Sequence, residues 1–235
     1  MRPKAIVTDI EGTTTPIVFV KAALFPFARA RIGDFIRAQR NSPEVAAALS
    51  ETKKLMGAEN SGDEAAVAAL IQWIDEDRKE RPLKFLQGLI WREGYESGAL
   101  RAPVYPDAAQ ALRAWHGRGI ALGVYSSGST GAQKLLFAHT DHGDLTPLFS
   151  NYFDLGTGAK TEAGSYGAIA KATGFAPHDI LFLSDHPGET RAAREAGLAA
   201  FRIDRDMLGL TDTARDEDGT MAAGSFIPVA ARIGA

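Results

Sequence analysis

Residues 5–12 read AIVTDIEG, a short apolar run that ends in two acids and a glycine. The run at 5–7 is partly β-branched and predicts a buried strand, and the residues after it predict a turn. Asp9 and Glu11 flank Ile10, so in an extended chain their side chains point to the same side. Gly12 lets the backbone turn sharply toward a ligand. This stretch therefore predicts a buried strand that ends at a pair of carboxylates.

Helix and strand patterns alternate in the second half of the chain, after a boundary marked by Pro103 and Pro106. The predicted helices span 107–118, 130–139, 162–173 and 189–196. The predicted strands span 120–125, 180–183 and 199–203, with a short strand inside 149–155. Because strands that alternate with helices form parallel sheets, this half predicts an α/β fold to which the first strand also belongs.

The residues between the first strand and this alternating half contain almost no strand pattern. They predict four helices, at 20–39, 42–56, 63–79 and 84–95. The simplest topology is a doubly wound parallel sheet, Rossmann-like, with a helical domain inserted after its first strand. We therefore predict an α/β core domain of residues 1–18 and 103–235, and an inserted α-helical cap domain of residues 19–102.

The C-terminal segment carries weaker signals. Residues 210–224 are polar and glycine-rich and predict a loop. Residues 226–229 read FIPV and predict an edge strand, because proline removes one donor of a hydrogen-bond ladder.

Composition narrows the classes of function. The chain has 235 residues, of which 45% are hydrophobic, so it can bury a packed core. Its net charge is −3 and no basic run stands out, so we expect neither a nucleic-acid nor a membrane partner. It has no cysteine, which excludes disulfides, thiolate metal sites and cysteine nucleophiles. The N-terminal apolar stretch is too short for a signal peptide, so we expect a cytoplasmic protein. We also expect a monomer, because the inserted cap can by itself shield a site in the core domain from water.

Polar side chains follow the ends of the predicted parallel strands. In open α/β sheets, ligands bind at the carboxyl ends of the strands, so these side chains should converge on one edge. The candidates are Asp9 and Glu11 after the first strand, Ser126 and Ser127 after the second, Lys160 after the third, and Asp185 after the fourth.

Three acids, two hydroxyls and a lysine suit a phosphate monoester together with a hard cation. Carboxylates alone would repel a phosphate dianion, and Mg²⁺ takes oxygen ligands such as Asp9, Asp185 and a carbonyl near Glu11. Ser126, the N–H groups at 127–128 and Lys160 can bind phosphoryl oxygens. Asp9 can act as a nucleophile, and Glu11 can protonate the leaving oxygen and then activate water.

The motifs resemble those of a known superfamily. DIEGTT at 9–14 is similar to the first motif of the haloacid dehalogenase superfamily, Asp-x-Asp-Gly-Thr, and the residues at 126–127, 160 and 185 fall where its other motifs lie. The chain further resembles the enolase-phosphatases of methionine salvage. The matching segments are DIEGTTTPI at 9–17, YSSGS at 125–129, AQKLLF at 132–137 and FLSD at 182–185.

This resemblance implies a Mg²⁺-dependent enzyme that enolises a diketone phosphate and removes its phosphate. It implies that Asp9 is nucleophile and metal ligand, and that Glu11 gives the metal its carbonyl and acts as acid and base. It also implies that Ser126 and Ser127 bind substrate, Lys160 binds phosphate and Asp185 completes the metal site. Glu11 replaces the superfamily's second aspartate, which we interpret as a mark of the enolase-phosphatases.

Other interpretations stay open at this stage. Glu189 is a candidate for holding metal-bound water or for holding Lys160. Alternatively, it is only a favourable acid in a first helical turn. The serines at 126–129 also suit a helix N-cap, and His186 suits either the site or the surface. At the level of function, the alternatives are a general magnesium-dependent metabolite phosphatase of this superfamily and a non-catalytic phosphate-binding protein.

Overall fold

The computed structural model describes residues 2–206 and 209–234. Met1, Met207, Leu208 and Ala235 lie outside the described residues. Within the described ranges, the helices are α1 (Ile17–Phe19), α2 (Phe25–Ala38), α3 (Pro43–Leu55), α4 (Asp63–Asp75), α5 (Arg81–Glu96), α6 (Pro106–Gly117), α7 (Thr130–Ala138), α8 (Ala163–Thr173), α9 (Pro187–Glu195) and α10 (Phe226–Ile233). The strands are β1 (Ala5–Thr8), β2 (Ala121–Tyr125), β3 (Asn151–Phe153), β4 (Ile180–Ser184), β5 (Ala199–Ile203), β6 (Thr213–Arg215) and β7 (Met221–Ala223).

The seven strands form one sheet in the order β3-β2-β1-β4-β5-β7-β6. Every neighbouring pair is parallel except β6 and β7, which are antiparallel. β1 lies between β2 and β4, with Thr8 level with Val124 and Leu183. The predicted α/β class with a doubly wound parallel sheet is confirmed. Because the chain crosses from one side of β1 to the other, the carboxyl ends of β1, β2 and β4 lie side by side.

The central strands are buried on both faces, as parallel sheets between helices require. All residues of β1 and β4 are buried, so these strands are continuous apolar runs rather than alternating ones, each ending in one hydroxyl residue, Thr8 or Ser184. An aromatic group lies in the core on one face, where Tyr125, Tyr166 and Phe182 pack together. The core thereby holds the strand ends in fixed positions.

The chain divides into two compact units, one of residues up to Ile17 and from Ala102, and one of Val18–Arg101. We name the first the α/β unit and the second the helical unit. The core of the helical unit comes from α2 to α5 and includes Ile32, Leu70 and Leu86, which are almost fully buried. No helix in residues 2–206 or 209–234 is long and apolar enough to span a bilayer.

The predicted helix at 20–39 contains a π-helical turn, Val20–Leu24. The N–H of Phe25 bonds to the carbonyl of Val20, five residues back. Pro26 follows directly, and it has no N–H to give to the carbonyl four residues before it. The wider turn therefore relieves a conflict that proline creates near the start of α2.

Two predictions for the C-terminal segment are wrong. Residues 210–224 contain strands β6 and β7 rather than only a loop, and residues 226–229 begin helix α10 rather than an edge strand. Ser225 caps that helix by accepting the N–H of Ile227 at 3.1 Å, and Pro228 lies in the first turn, where a missing N–H costs nothing. β7 is only three residues with two alanines, which gives little strand signal.

Candidate active site

The loop after β1 presents Asp9 at the carboxyl end of the sheet. The N–H of Asp9 bonds to the carbonyl of Leu183 at 2.8 Å, so the pairing of β1 with β4 extends to the acid itself. The carbonyl of Ile10 accepts the N–H groups of Thr13, Thr14 and Thr15 at 2.9–3.2 Å. This tight turn fixes Asp9, which is only 3% exposed.

Gly12 is required at this turn for two reasons. Its φ of +74° lies in the left-handed region, which favours glycine. A Cβ at this position would also lie 2.2 Å from Oδ2 of Asp185. The loops after β1 and β4 therefore approach each other closely only because residue 12 has no side chain.

Thr13 joins these two loops by a hydrogen bond. Its buried hydroxyl accepts the N–H of Asp185 at 2.9 Å. Its carbonyl accepts two hydrogen bonds from the guanidinium of Arg205, at 3.0 and 2.9 Å, and Arg205 also forms an ion pair with Asp107. The position of Asp185 is thus set by the turn that carries Asp9 and Glu11.

Lys160 lies between two carboxylates. Its ammonium nitrogen is 2.5 Å from Oδ1 of Asp9 and 2.8 Å from Oε2 of Glu189, and its side chain is 7% exposed. Burial alone would lower the pKa of Lys160, but the Asp9 and Glu189 carboxylates outweigh it and raise that pKa above its ordinary value. The lysine is therefore a permanent cation at neutral pH.

Glu189 lies in the first turn of α9, next to the end of β4. Its Oε2 accepts a hydrogen bond from the hydroxyl of Ser184 at 2.7 Å as well as the contact with Lys160. Of the two interpretations left open for this residue, the geometry favours the one in which it holds the lysine.

Ser126 contacts the second acid of the first motif. Its hydroxyl donates to Oε2 of Glu11 at 3.2 Å and accepts the N–H of Gly128 at 3.3 Å. The buried amide of Gln133 donates to the carbonyls of Gly128 and Phe153, which holds this loop against the end of β3. Ser127 is exposed, and its contact with substrate stays a prediction.

The remaining serine and the histidine of these loops are helix caps. Ser129 caps α7 by accepting the N–H of Ala132, and Nδ1 of His186 accepts the N–H of Gly188 at the start of α9. His186 is exposed. Capping accounts for both residues without a catalytic role.

Four carboxylates and one ammonium therefore lie at one edge of the sheet, where the negative charges outnumber the positive one. Burial, and then the Asp9 carboxylate, raise the pKa of Glu11 above its ordinary value. Burial, with Asp9 and Glu189, raises the pKa of Asp185 to about 7. A cation placed among these groups would be strongly favoured.

The sequence pattern did not reveal three of these contacts: the hydroxyls of Thr13 and Ser184, and the Arg205–Asp107 pair. Thr13 lies inside the quoted first motif, so its place beside the acids was a usable signal. Arg205 and Asp107 are 98 residues apart, and no local pattern joins them.

Comparison with known proteins agrees with the fold. The family model for haloacid dehalogenase-like hydrolases matches residues 3–197. An L-2-haloacid dehalogenase structure, RSc1362, has a TM-score of 0.59 at 17% identity and covers 100% of both chains, which shows the shared fold. The fold is thus that of a haloacid dehalogenase-like hydrolase.

Curated relatives narrow the family. Enolase-phosphatase E1 of Parvibaculum lavamentivorans is 56% identical over 204 residues, 87% of each chain. Enolase-phosphatase E1 of Pseudomonas aeruginosa is 48% identical over 97% of this chain and 99% of its own. The UTR4 protein of Saccharomyces cerevisiae, a solved structure, has a TM-score of 0.78 at 34% identity, covering 97% of this chain and 100% of its own. The chain belongs to the enolase-phosphatases of the haloacid dehalogenase-like hydrolases.

Proposed function

We propose that this chain is an enolase-phosphatase of methionine salvage. It converts 2,3-diketo-5-methylthiopentyl-1-phosphate to the acireductone, 1,2-dihydroxy-3-keto-5-methylthiopentene, and phosphate. The main support for phosphatase activity is the buried Lys160 ammonium, 2.5 Å from the carboxylate of Asp9 at the end of β1. The identity to enolase-phosphatases supports the choice of substrate.

The residues fit a magnesium ion. Mg²⁺ takes oxygen ligands and uses one or two protein carboxylates, and we propose Asp9, Asp185 and the main-chain carbonyl of Glu11. In residues 2–206 and 209–234, no group of three or more His, Cys, Asp or Glu side chains is arranged to hold a metal, and this set needs only two such side chains. Burial, and then the neighbouring Asp9 and Glu189 carboxylates, raise the pKa of Asp185, so a cation beside it would be favoured.

We propose that Ser126, Ser127 and Lys160 bind the phosphate group of the substrate. Mg²⁺, when bound, would neutralise the carboxylates and the phosphate oxygens so that the two can approach. Lys160 already lies beside Asp9, so the same ammonium can hold a phosphoryl oxygen close to that carboxylate. The charge at the site thereby becomes much less repulsive toward a dianion.

In the proposed reaction, the substrate is first enolised, with a proton leaving C1 and a carbonyl oxygen gaining one. A carboxylate oxygen of Asp9 then attacks phosphorus, and the ester P–O bond breaks. Glu11 donates its proton to the departing oxygen, which is consistent with the direction of its pKa shift. The aspartyl-phosphate on Asp9 is then hydrolysed by a water whose proton passes to Glu11, and phosphate leaves. Both groups return to their starting states.

The experiment supplies the diketone phosphate with Mg²⁺ and measures phosphate release together with acireductone absorbance. We expect both signals to rise together, and we expect neither in the presence of EDTA. A panel of sugar and metabolite phosphates is the control. Release of phosphate only from those esters would remove the specific assignment and leave a general phosphatase. Binding without turnover of any phosphoester would favour the non-catalytic alternative.

Three further predictions concern the helical unit, the oligomeric state and the location of the protein. We propose that the helical unit, residues 18–101, contributes to substrate selection as a cap domain. The predicted monomeric state and cytoplasmic location also stay predictions.

A further inference from the structure

Three consecutive carbonyls near the proposed phosphate-binding lysine each accept a hydrogen bond from a side-chain hydroxyl. The distances are 2.9, 2.7 and 2.6 Å. The pairs are Tyr125 with the carbonyl of Gly158, Ser165 with that of Ala159, and Tyr166 with that of Lys160. The hydroxyls come from the end of β2 and the first turn of α8, so they reach the segment from two elements. We name these three side chains the hydroxyl clamp.

The segment that they hold is neither helix nor strand. Its carbonyls therefore have no regular ladder of backbone partners and need other donors when they are buried. Gly158 has a φ of +141°, and a Cβ there would lie 2.2 Å from the hydroxyl oxygen of Ser165. The close approach of the serine to this segment thus requires glycine at position 158.

The two phenol groups of the clamp have little freedom to move. The rings of Tyr125 and Tyr166 are fully buried and meet edge to face, with centroids 5.7 Å apart. Tyr166 also packs against Phe182 of β4, at 4.9 Å between centroids. Core packing therefore sets the positions of the hydroxyls, and the hydroxyls set the position of the 158–160 backbone.

We propose that Tyr125, Ser165 and Tyr166 are positioning residues that act through Lys160. By fixing the main chain of Lys160, the clamp places its ammonium where it meets Asp9 at 2.5 Å and where the phosphate of the substrate binds. This inference rests on the proposed function in one respect, the role of Lys160 as phosphate ligand. Tyr166 carries the largest part, because it bonds to the carbonyl of Lys160 itself within the core.

The first experiment compares Tyr166→Phe with a matched control, Tyr152→Phe. The Tyr152 hydroxyl is buried and, in the described part of the chain, has no hydrogen-bond partner. A misplaced catalytic group can cost up to about a hundredfold in rate. We expect Tyr166→Phe to lower kcat/KM about tenfold or more, with a raised KM, and Tyr152→Phe to match the wild type within about twofold. Equal kcat/KM for Tyr166→Phe and the wild type would overturn the proposal.

The second experiment asks whether the effect passes through Lys160. The dissociation constant of vanadate in the presence of Mg²⁺ is measured by calorimetry for the wild type, Tyr166→Phe, Lys160→Met and the double variant. We expect Tyr166→Phe to weaken vanadate binding about tenfold alone, but to add nothing once Lys160 is replaced. Additive losses would mean that the tyrosine acts independently of the lysine, and would overturn the proposal. If Lys160→Met does not fold, Lys160→Gln takes its place, with the same expectation that the two losses do not add.

Vanadate separates this inference from the choice of substrate. If the wild type does not turn over the diketone phosphate but the vanadate cycle behaves as expected, the substrate is wrong and the clamp stands. If turnover occurs but the cycle is additive, the clamp is wrong and the proposed function stands.

Discussion

The two units of this chain differ in how deeply their ion pairs are buried. In the helical unit, the core from α2 to α5 is apolar and the ion pairs lie outside it; Arg29 and Asp75, for example, have side chains that are both 49% exposed. In the α/β unit, Lys160 and Asp9 form an ion pair with side chains 7% and 4% exposed. Burying charge costs free energy that apolar packing must offset. The buried charges at the strand ends therefore make the α/β unit less stable, and we expect the chemistry to take place there.

The largest effect should follow from Asp9→Asn, which keeps the shape of the side chain and removes the nucleophile. We expect turnover of the diketone phosphate to fall by about 10⁴-fold or more, as replacement of a nucleophile usually does. The fold should persist, because Lys160 keeps its contact with Glu189. Phosphate release and circular dichroism measure the two results. A variant that retains a few per cent of the activity would exclude Asp9 as the nucleophile.

Lys160→Met should sharpen the comparison between the units. It leaves the carboxylates of Asp9 and Glu189 buried without their cation, which we expect to cost about 3–5 kcal/mol of stability. The matched control is Lys53→Met in the helical unit, where the partner is the more exposed Asp63. That change should cost about 1 kcal/mol or less. Urea unfolding measures both, and similar losses for the two variants would contradict the contrast.

Leu70→Ala tests the other half of the comparison. Leu70 is fully buried in the helical core, and truncation there should destabilise by about 2–5 kcal/mol through lost burial and the cavity left behind. Hydrogen exchange of the amides in α2, α4 and α5 reports the loss locally. Leu55 is 48% exposed, and Leu55→Ala is the control that should leave these amides nearly as protected as before. Equal loss of protection in both variants would show that the core of the unit is not where the structure puts it.

The fourth expected effect depends on pH and concerns Asp185, whose replacement should stabilise the protein rather than destabilise it. Burial, followed by Asp9 and Glu189, raises its pKa from 3.8 to about 7 in the folded, metal-free chain. The folded state therefore holds a proton that the unfolded state has lost, and stability falls as the pH rises from about 4 through 7. Asp185→Asn should remove this loss, so at pH 8 without metal the variant should be more stable, by about 1–2 kcal/mol after discounting for solvent.

The control for this pH effect is Mg²⁺. Added metal should stabilise the wild type at pH 8 and stabilise Asp185→Asn much less, because the proposed ligand is gone. Thermal unfolding of both proteins at pH 4.5 and 8, each with and without Mg²⁺, gives the values to compare. A metal-free variant that is less stable than the wild type at pH 8 would contradict the account of Asp185.

The sequence predicted the sheet core and the strand-end residues because both depend on short-range patterns. Apolar runs such as ILFLS at 180–184 mark buried parallel strands, and Asp9, Glu11 and Asp185 follow such runs closely. That Lys160 would lie beside Asp9 followed from the rule for strand ends and from the resemblance. The structure adds the distance and the second contact, with Glu189.

What the sequence could not predict depends on contacts between distant residues. The apolar run at 226–229 fits a strand or a helix, and packing of Phe226 and Val229 in the core decides for the helix. The clamp from Tyr125 and Tyr166 joins two elements to a third segment. Tyr125 begins the YSSGS segment, but nothing local to either tyrosine predicts its contact with residues 158–160. The secondary structure of a short apolar run and the partner of a buried hydroxyl therefore become clear only in the folded structure.

The most direct test of the central claim is a crystal structure of the protein with Mg²⁺ and vanadate. We expect vanadium next to a carboxylate oxygen of Asp9, with Lys160 and Ser126 in contact with the vanadate oxygens and with the metal between Asp9 and Asp185. Vanadate bound away from Asp9, or held there with no metal at these carboxylates, would contradict the claim that Asp9 is a magnesium-assisted nucleophile.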